Sequence, residues 1–173
     1  MEKSRLKILI LGSVATGKTT LIKKFIGAKL SKSYKKTVGV DILTKEIEYE
    51  TGKFAELSIW DVGGQNRFDY VRDKFYEGVE GAVIVFDLTK KKTYGDIKKW
   101  LKDLKEFGGF DIPFVILGNT INMSKLKKAT IDRDMPRVFT EKEGGLFFEA
   151  SSKNYENFEK VFLELVRRIY NSS

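Results

Sequence analysis

Gly12-Ser13-Val14-Ala15-Thr16-Gly17-Lys18-Thr19 has the spacing G-x-x-x-x-G-K-S/T and lies between an apolar run, Leu6 to Leu11, and an amphipathic segment. Glycines at these positions let successive backbone N–H groups turn inward around a phosphate chain. The N-terminus of the following helix adds positive potential there. In such a loop Lys18 reaches the β- and γ-phosphates of a nucleotide, and the Thr19 hydroxyl ligates a magnesium ion bridging them. Gly12, Val14, Ala15, Thr16, Gly17 and Thr20 are expected to line the same cradle.

A phosphate loop alone also serves kinases and ATPases, so what stands opposite it matters. The apolar stretch Leu57-Ser58-Ile59-Trp60 ends in Asp61-Val62-Gly63-Gly64-Gln65. An aspartate at the carboxyl end of a strand beside the loop is the expected second magnesium anchor. Gly64 can bring a bare backbone N–H against a γ-phosphate, and Gln65 can orient an attacking water. That pairing suits hydrolysis, and a phosphotransferase such as a nucleotide kinase has no use for it.

Positioning these residues requires strands whose carboxyl ends converge. Leu6 to Leu11, Ala82 to Phe86, Phe114 to Leu117 and Leu146 to Phe148 are short and nearly all apolar, as buried parallel strands are. Val40 to Tyr49 and Phe54 to Trp60, joined at Thr51-Gly52, read as a hairpin and hence an antiparallel edge. Helical spacing marks three apolar faces between them: Leu21, Ile22, Phe25 and Ile26; Ile97, Trp100, Leu101 and Leu104; Phe158, Val161, Phe162, Leu165, Val166 and Ile169. Thr93 with Asp96 resembles a capping box, Asn154 is a good N-cap for the last helix, and a shorter helix is expected over Arg137 to Glu143. The stretch from Met123 to Pro136 is polar and irregular.

Composition bounds the rest. At 173 residues, 42% hydrophobic and 32% charged, residues 1–173 fit one α/β domain with a sizeable core. With no cysteine there is no disulfide, thiolate zinc site or prenylation site, and Met1-Glu2-Lys3 lacks the glycine that myristoylation needs. No lipid anchor is expected, nor a membrane span, since the apolar runs are too short. A cytoplasmic monomer follows as the expectation. The net charge of +8, with lysines grouped at 90 to 92, 98 to 105 and 125 to 128, is read first as a solvated face. It also allows a weak, peripheral contact with an anionic membrane surface, while nothing beyond charge points to nucleic acid.

Taken in order, Gly12 to Thr19, Thr37-Val38-Gly39-Val40-Asp41, Asp61 to Gln65 and Glu149-Ala150-Ser151-Ser152-Lys153 resemble the motifs of Ras-superfamily small GTPases over nearly the whole chain. Thr37 with Gly39-Val40-Asp41 and Arg67-Phe68 is similar to the Rab branch, whereas Trp60 to Gln65 is worded as in the Arf branch. The resemblance implies a three-layer P-loop fold, with a six-stranded, mostly parallel sheet, one antiparallel edge strand and helices on both faces. It implies GTP and GDP as bound nucleotides and Mg2+ held by Thr19, Thr37 and Asp61. Gln65 and Lys18 become the catalytic residues, and Tyr34 covers the phosphates. Segments near 30–40 and 61–75 become switches that relax after hydrolysis and bind effector proteins, served by an exchange factor and a GTPase-activating protein.

The departures from that pattern fall mainly on the base side. Small GTPases read guanine with N-K-x-D, and this chain has Asn119-Thr120-Ile121-Asn122 there. The carboxylate of the usual motif accepts from two guanine donors, whereas the Asn122 amide offers one acceptor and one donor, which suits a base such as xanthine. Thr120 lacks the lysine stem that lies over the base. Leu30 stands where relatives stack a ring. Ser151, Ser152 and Lys153 still offer a backbone N–H and an apolar stem to the base. Val14 occupies the loop position nearest Gln65, where a branched side chain can crowd the transition state and slow hydrolysis. The alternative to an active switch is therefore a slowly or non-hydrolysing nucleotide-binding interaction module with altered base specificity.

Overall fold

The computed structural model describes residues 4–13, 16–26, 35–37, 40–62, 72–120, 132, 134–151 and 155–172. Its strands are β1 (Ser4–Gly12), β2 (Lys35–Thr37), β3 (Val40–Glu50), β4 (Lys53–Val62), β5 (Gly81–Asp87), β6 (Phe114–Thr120) and β7 (Leu146–Ser151). They form one sheet in the order β2-β3-β4-β1-β5-β6-β7. From β4 to β7 every neighbouring pair runs parallel. Strand β3 is antiparallel to both β4 and β2. The six expected strands are therefore present with β3 as the antiparallel one. The three-residue β2 is added outside it and carries Thr37 opposite Val40.

The helices are α1 (Lys18–Ile26), α2 (Arg72–Tyr76), α3 (Lys91–Gly95), α4 (Ile97–Asp103), α5 (Asp134–Lys142) and α6 (Tyr155–Asn171). The chain leaves α4 through a wider π-helical turn, Leu104–Gly108. Alternation along β1 explains the layering. Leu6, Ile8 and Ile10 face a core closed by Leu21, Ile22 and Phe25 of α1 and Phe158, Phe162 and Leu165 of α6. Leu9 and Leu11 face the other way, onto a core with Ile84, Phe86, Ile97 and Leu101 of α4, and Leu104 of the π-helical turn. Strands β5 and β6, covered on both faces, are buried along their whole length, which is why their sequences show no polar alternation. Phe25 ties α1 to α6 by stacking on Phe162 at 4.3 Å between ring centroids.

The hairpin turns at Thr51-Gly52, where Gly52 has φ +77° and Glu50 pairs with Lys53. Two local expectations change. The short helix starts at Asp134 rather than Arg137, because Pro136 sits in its first turn, where the missing N–H costs nothing. Thr93 and Asp96 form no capping box. Lys90 is the N-cap of α3, and the Thr93 hydroxyl is taken by Asp87 and Lys90: it accepts from the Asp87 N–H at 2.9 Å and donates to the Lys90 carbonyl at 2.7 Å. Asn154 and, of the polar stretch, residues 123–131 and 133 lie outside the described residues.

Candidate functional site

Strand β1 runs directly into the glycine loop, and α1 begins at Lys18. Gly12 has φ +152°, and a Cβ there would stand 2.5 Å from the Val85 carbonyl oxygen, so the loop leaves the sheet where only glycine passes β5. Gly17 has φ +81°, and its carbonyl accepts the Leu21 N–H at 3.1 Å, starting the helix. The expected phosphate loop therefore has its strand before it and its helix after it.

The parallel register of β1 and β4 puts Ile10 beside Asp61. That places the Asp61 carboxylate at the mouth of the loop, where Lys18 Nζ lies 2.5 Å from Asp61 Oδ1. Both residues are buried, at 7% and 6% exposure, so each is the other's counterion away from solvent. Thr19 and Thr20, the next residues of α1, are exposed.

The base-side residues arrive at the same edge through β6 and β7. Asn119, at the end of β6, donates from Nδ2 to the Thr16 carbonyl at 2.8 Å across 103 residues. Thr120 pairs with Ser151 in the β6/β7 register, and both are buried. Asn119 Oδ1 and Thr16 Oγ1 are buried without a hydrogen-bond partner among the described residues, the condition a bound polar ligand relieves. The Lys18 ammonium suits a polyphosphate, and the Asp61 carboxylate with the exposed Thr19 hydroxyl are hard oxygen donors suited to Mg2+, so the residues present fit both.

Among the expected site residues, the fold brings together Gly12, Thr16, Gly17, Lys18, Thr19, Thr20, Asp61, Asn119, Thr120 and Ser151. Thr37 is placed by its backbone pairing alone. Val14, Ala15, Leu30, Tyr34, Gly64, Gln65, Asn122, Ser152 and Lys153 lie outside the described residues.

Three supporting groups were not read from the sequence. Asp87 Oδ1 accepts from both the N–H and the hydroxyl of Thr89, at 2.8 and 2.7 Å, closing the corner after β5. Asp87-x-Thr89 is the spacing of an Asx turn, and that signal was legible. Ser13 Oγ donates to Asp96 Oδ2 at 2.7 Å, a contact across 83 residues that no local pattern announces. Lys7 crosses the face of Trp60 with Nζ 3.9 Å from the ring centroid and donates to the Glu77 carbonyl at 2.7 Å, tying the exit of α2 to β1. Burial lowers the Lys7 pKa from its usual range, and Glu77 partly opposes that.

A parallel α/β sheet whose first strand feeds a glycine loop, with a lysine and a strand-end aspartate meeting over it, defines a phosphate-loop nucleotide-binding fold. The model of the Ras family matches residues 7–171, and the chain belongs to this family of small GTPases. The similarity is of Rab type. Ras-related protein Rab-12 of Homo sapiens is 34% identical over 163 residues, covering 94% of this chain and 66% of that protein. Ypt/Rab-type GTPase YPT7 of Saccharomyces cerevisiae is 34% identical over 170 residues, 96% of this chain and 82% of its own length. Ras-related protein YPTC6 of Chlamydomonas reinhardtii is 31% identical over 164 residues, 95% and 74% respectively. The Arf-like wording from Trp60 to Gln65 thus sits in a Rab-type chain.

Proposed function

We propose that residues 1–173 form a single small GTPase domain that binds GTP and GDP with Mg2+, hydrolyses GTP to GDP and phosphate, and signals its nucleotide state through segments near 30–40 and 61–75. The observation that carries this is the meeting of Lys18 and Asp61 at the mouth of the glycine loop. Lys18 holds the β- and γ-phosphates, and Thr19, Thr37 and Asp61 hold the metal. When bound, Mg2+ would neutralise phosphate charge. Gln65 orients the attacking water, and the Gly64 N–H meets the γ-phosphate. Tyr34 covers the phosphates, and Leu30, Asn119, Thr120, Asn122, Ser151, Ser152 and Lys153 surround the base.

The described geometry supports phosphate binding more directly than base choice. Thr120 is buried at the end of β6, where relatives carry a lysine, and Asn122 replaces the guanine-reading carboxylate. A weakened preference for guanine follows, and Val14, at a loop position where many relatives keep a small residue, makes intrinsic hydrolysis slow. Effector proteins, an exchange factor and a GTPase-activating protein are the partners of such a switch. The chain acts as a monomer without nucleic acid, in the cytoplasm, with at most peripheral contact to an anionic membrane through its lysines. No described helix is long and apolar enough to cross a membrane.

Mass spectrometry of the nucleotide that co-purifies with the protein, followed by single-turnover phosphate release, tests the reading. Bound GDP or GTP with released phosphate is expected. A protein that retains nucleotide but releases no phosphate is the non-hydrolysing module, and one that binds no nucleotide overturns the proposal.

A further inference from the structure

The phosphate loop is held from outside at two points. Asn119 takes the Thr16 carbonyl in its middle, and Asp96 takes the Ser13 hydroxyl at its start. Both tethers lead to one piece of chain. The Asn119 carbonyl accepts the Leu88 N–H at 2.8 Å, and Asp87 to Asp96 forms the corner that α3 and the start of α4 complete.

Asp96 is unusual within this corner. It is the N-cap of α4, yet its side chain caps nothing in its own helix, while its carbonyl accepts the Trp100 and Lys99 N–H groups. A carboxylate at this position ordinarily turns back to the free N–H groups of the first turn. Here it points to Ser13 instead, and at 2.7 Å the contact has the length of a charge-assisted O–H to carboxylate bond. Ser13 follows Gly12, whose backbone is confined by the Val85 carbonyl, so the loop is fixed at its first two residues by unrelated means.

We infer that Ser13 and Asp96 are a positioning pair for the phosphate loop, with Asp96 holding its first turn in the shape that grips a nucleotide and linking that grip to helix α4. Neither residue touches phosphate in this scheme. The bond acts by fixing Ser13 at the start of the loop. The role rests on the nucleotide reading above, since a loop that held no phosphate would have no grip to lose.

Release of a fluorescent GDP analogue from the magnesium-loaded protein measures that grip. Ser13→Ala and Asp96→Ala are each expected to speed release roughly tenfold, the scale of one hydrogen bond to a charged group. The double variant should be no faster than either single one, because both remove the same bond. Asp96→Asn, which keeps an acceptor oxygen, should fall back toward the parent rate, an outcome that loss of fold would not produce. Unchanged release in Ser13→Ala, or single effects that add in the double variant, overturns the pairing while leaving nucleotide binding intact. A parent protein that retains no nucleotide overturns the nucleotide reading and the inference with it.

Discussion

Lys18 Nζ meets Asp61 Oδ1 at 2.5 Å, although the two residues are 43 positions apart and begin on different layers, one at the head of a helix and one at the end of a strand. The ammonium and the carboxylate are thus mutual counterions, and both are buried. Under the proposed function, nucleotide and magnesium bound together would give each a new partner of the right sign, whereas either alone would leave one charge unmatched.

Removing one member of that pair should be costly before any nucleotide is considered. Lys18→Met is expected to lower the stability of the nucleotide-free protein by about 3 kcal/mol, because Asp61 is left buried and unpaired. Adding Asp61→Asn should recover part of the loss. Urea unfolding of the single and double variants measures it, and strictly additive losses would contradict the pairing.

Magnesium removal tests the metal assignment. With excess EDTA, GDP release is expected to quicken by about tenfold or more, equivalent to at least about 1.4 kcal/mol of binding. Asp61→Ala should show little further response to EDTA. A full EDTA effect in that variant would place the metal elsewhere.

Gly12→Ala should fail for a backbone reason. The new Cβ stands 2.5 Å from the Val85 carbonyl at a φ of +152°, and strain with overpacking together amounts to about 2–4 kcal/mol. Thermal melting reads this directly, and a melting temperature equal to the parent's would mean that β5 gives way more easily than its burial suggests.

Restoring the base-reading residues should restore guanine choice. Thr120→Lys with Asn122→Asp is expected to tighten GTP over XTP by roughly ten- to hundredfold, the size of about 1–3 kcal/mol for one mismatched polar contact. Competitive titration of the two nucleotides decides it, and a parent protein already preferring GTP at nanomolar strength would refute the weakened preference.

Val14→Gly is expected to raise the single-turnover rate of GTP hydrolysis several-fold without changing GDP affinity. An unchanged rate would show that the valine does not obstruct the attacking water.

The chemistry of the site was legible because its residues carry their meaning locally. A glycine loop followed by lysine and threonine needs only the strand before it and the helix after it, and both have plain apolar periodicity between Leu6 and Phe25. The same holds for β5 and β6, whose unbroken apolar runs require cover on both faces. Local polar residues were less legible. Thr93 and Asp96 have the spacing of a cap, but each hydroxyl or carboxylate can serve whichever partner tertiary packing brings nearer. The start of α5 was hidden because Pro136 reads as a breaker unless it is known to lie in a first turn.

By itself the sequence determined the phosphate loop, the alternation of strands and helices, and the departure at Thr120 and Asn122, since these depend on residue type and short-range spacing. Only the tertiary structure decided that Asp61 pairs with Lys18, that Asn119 holds Thr16, and that Asp96 reaches Ser13 rather than its own helix. Those contacts depend on strand order and register, which bring residues 43, 103 and 83 positions apart to the same end of the sheet. Such separations carry no periodic signal, and they become definite once burial on both faces leaves each strand a single register.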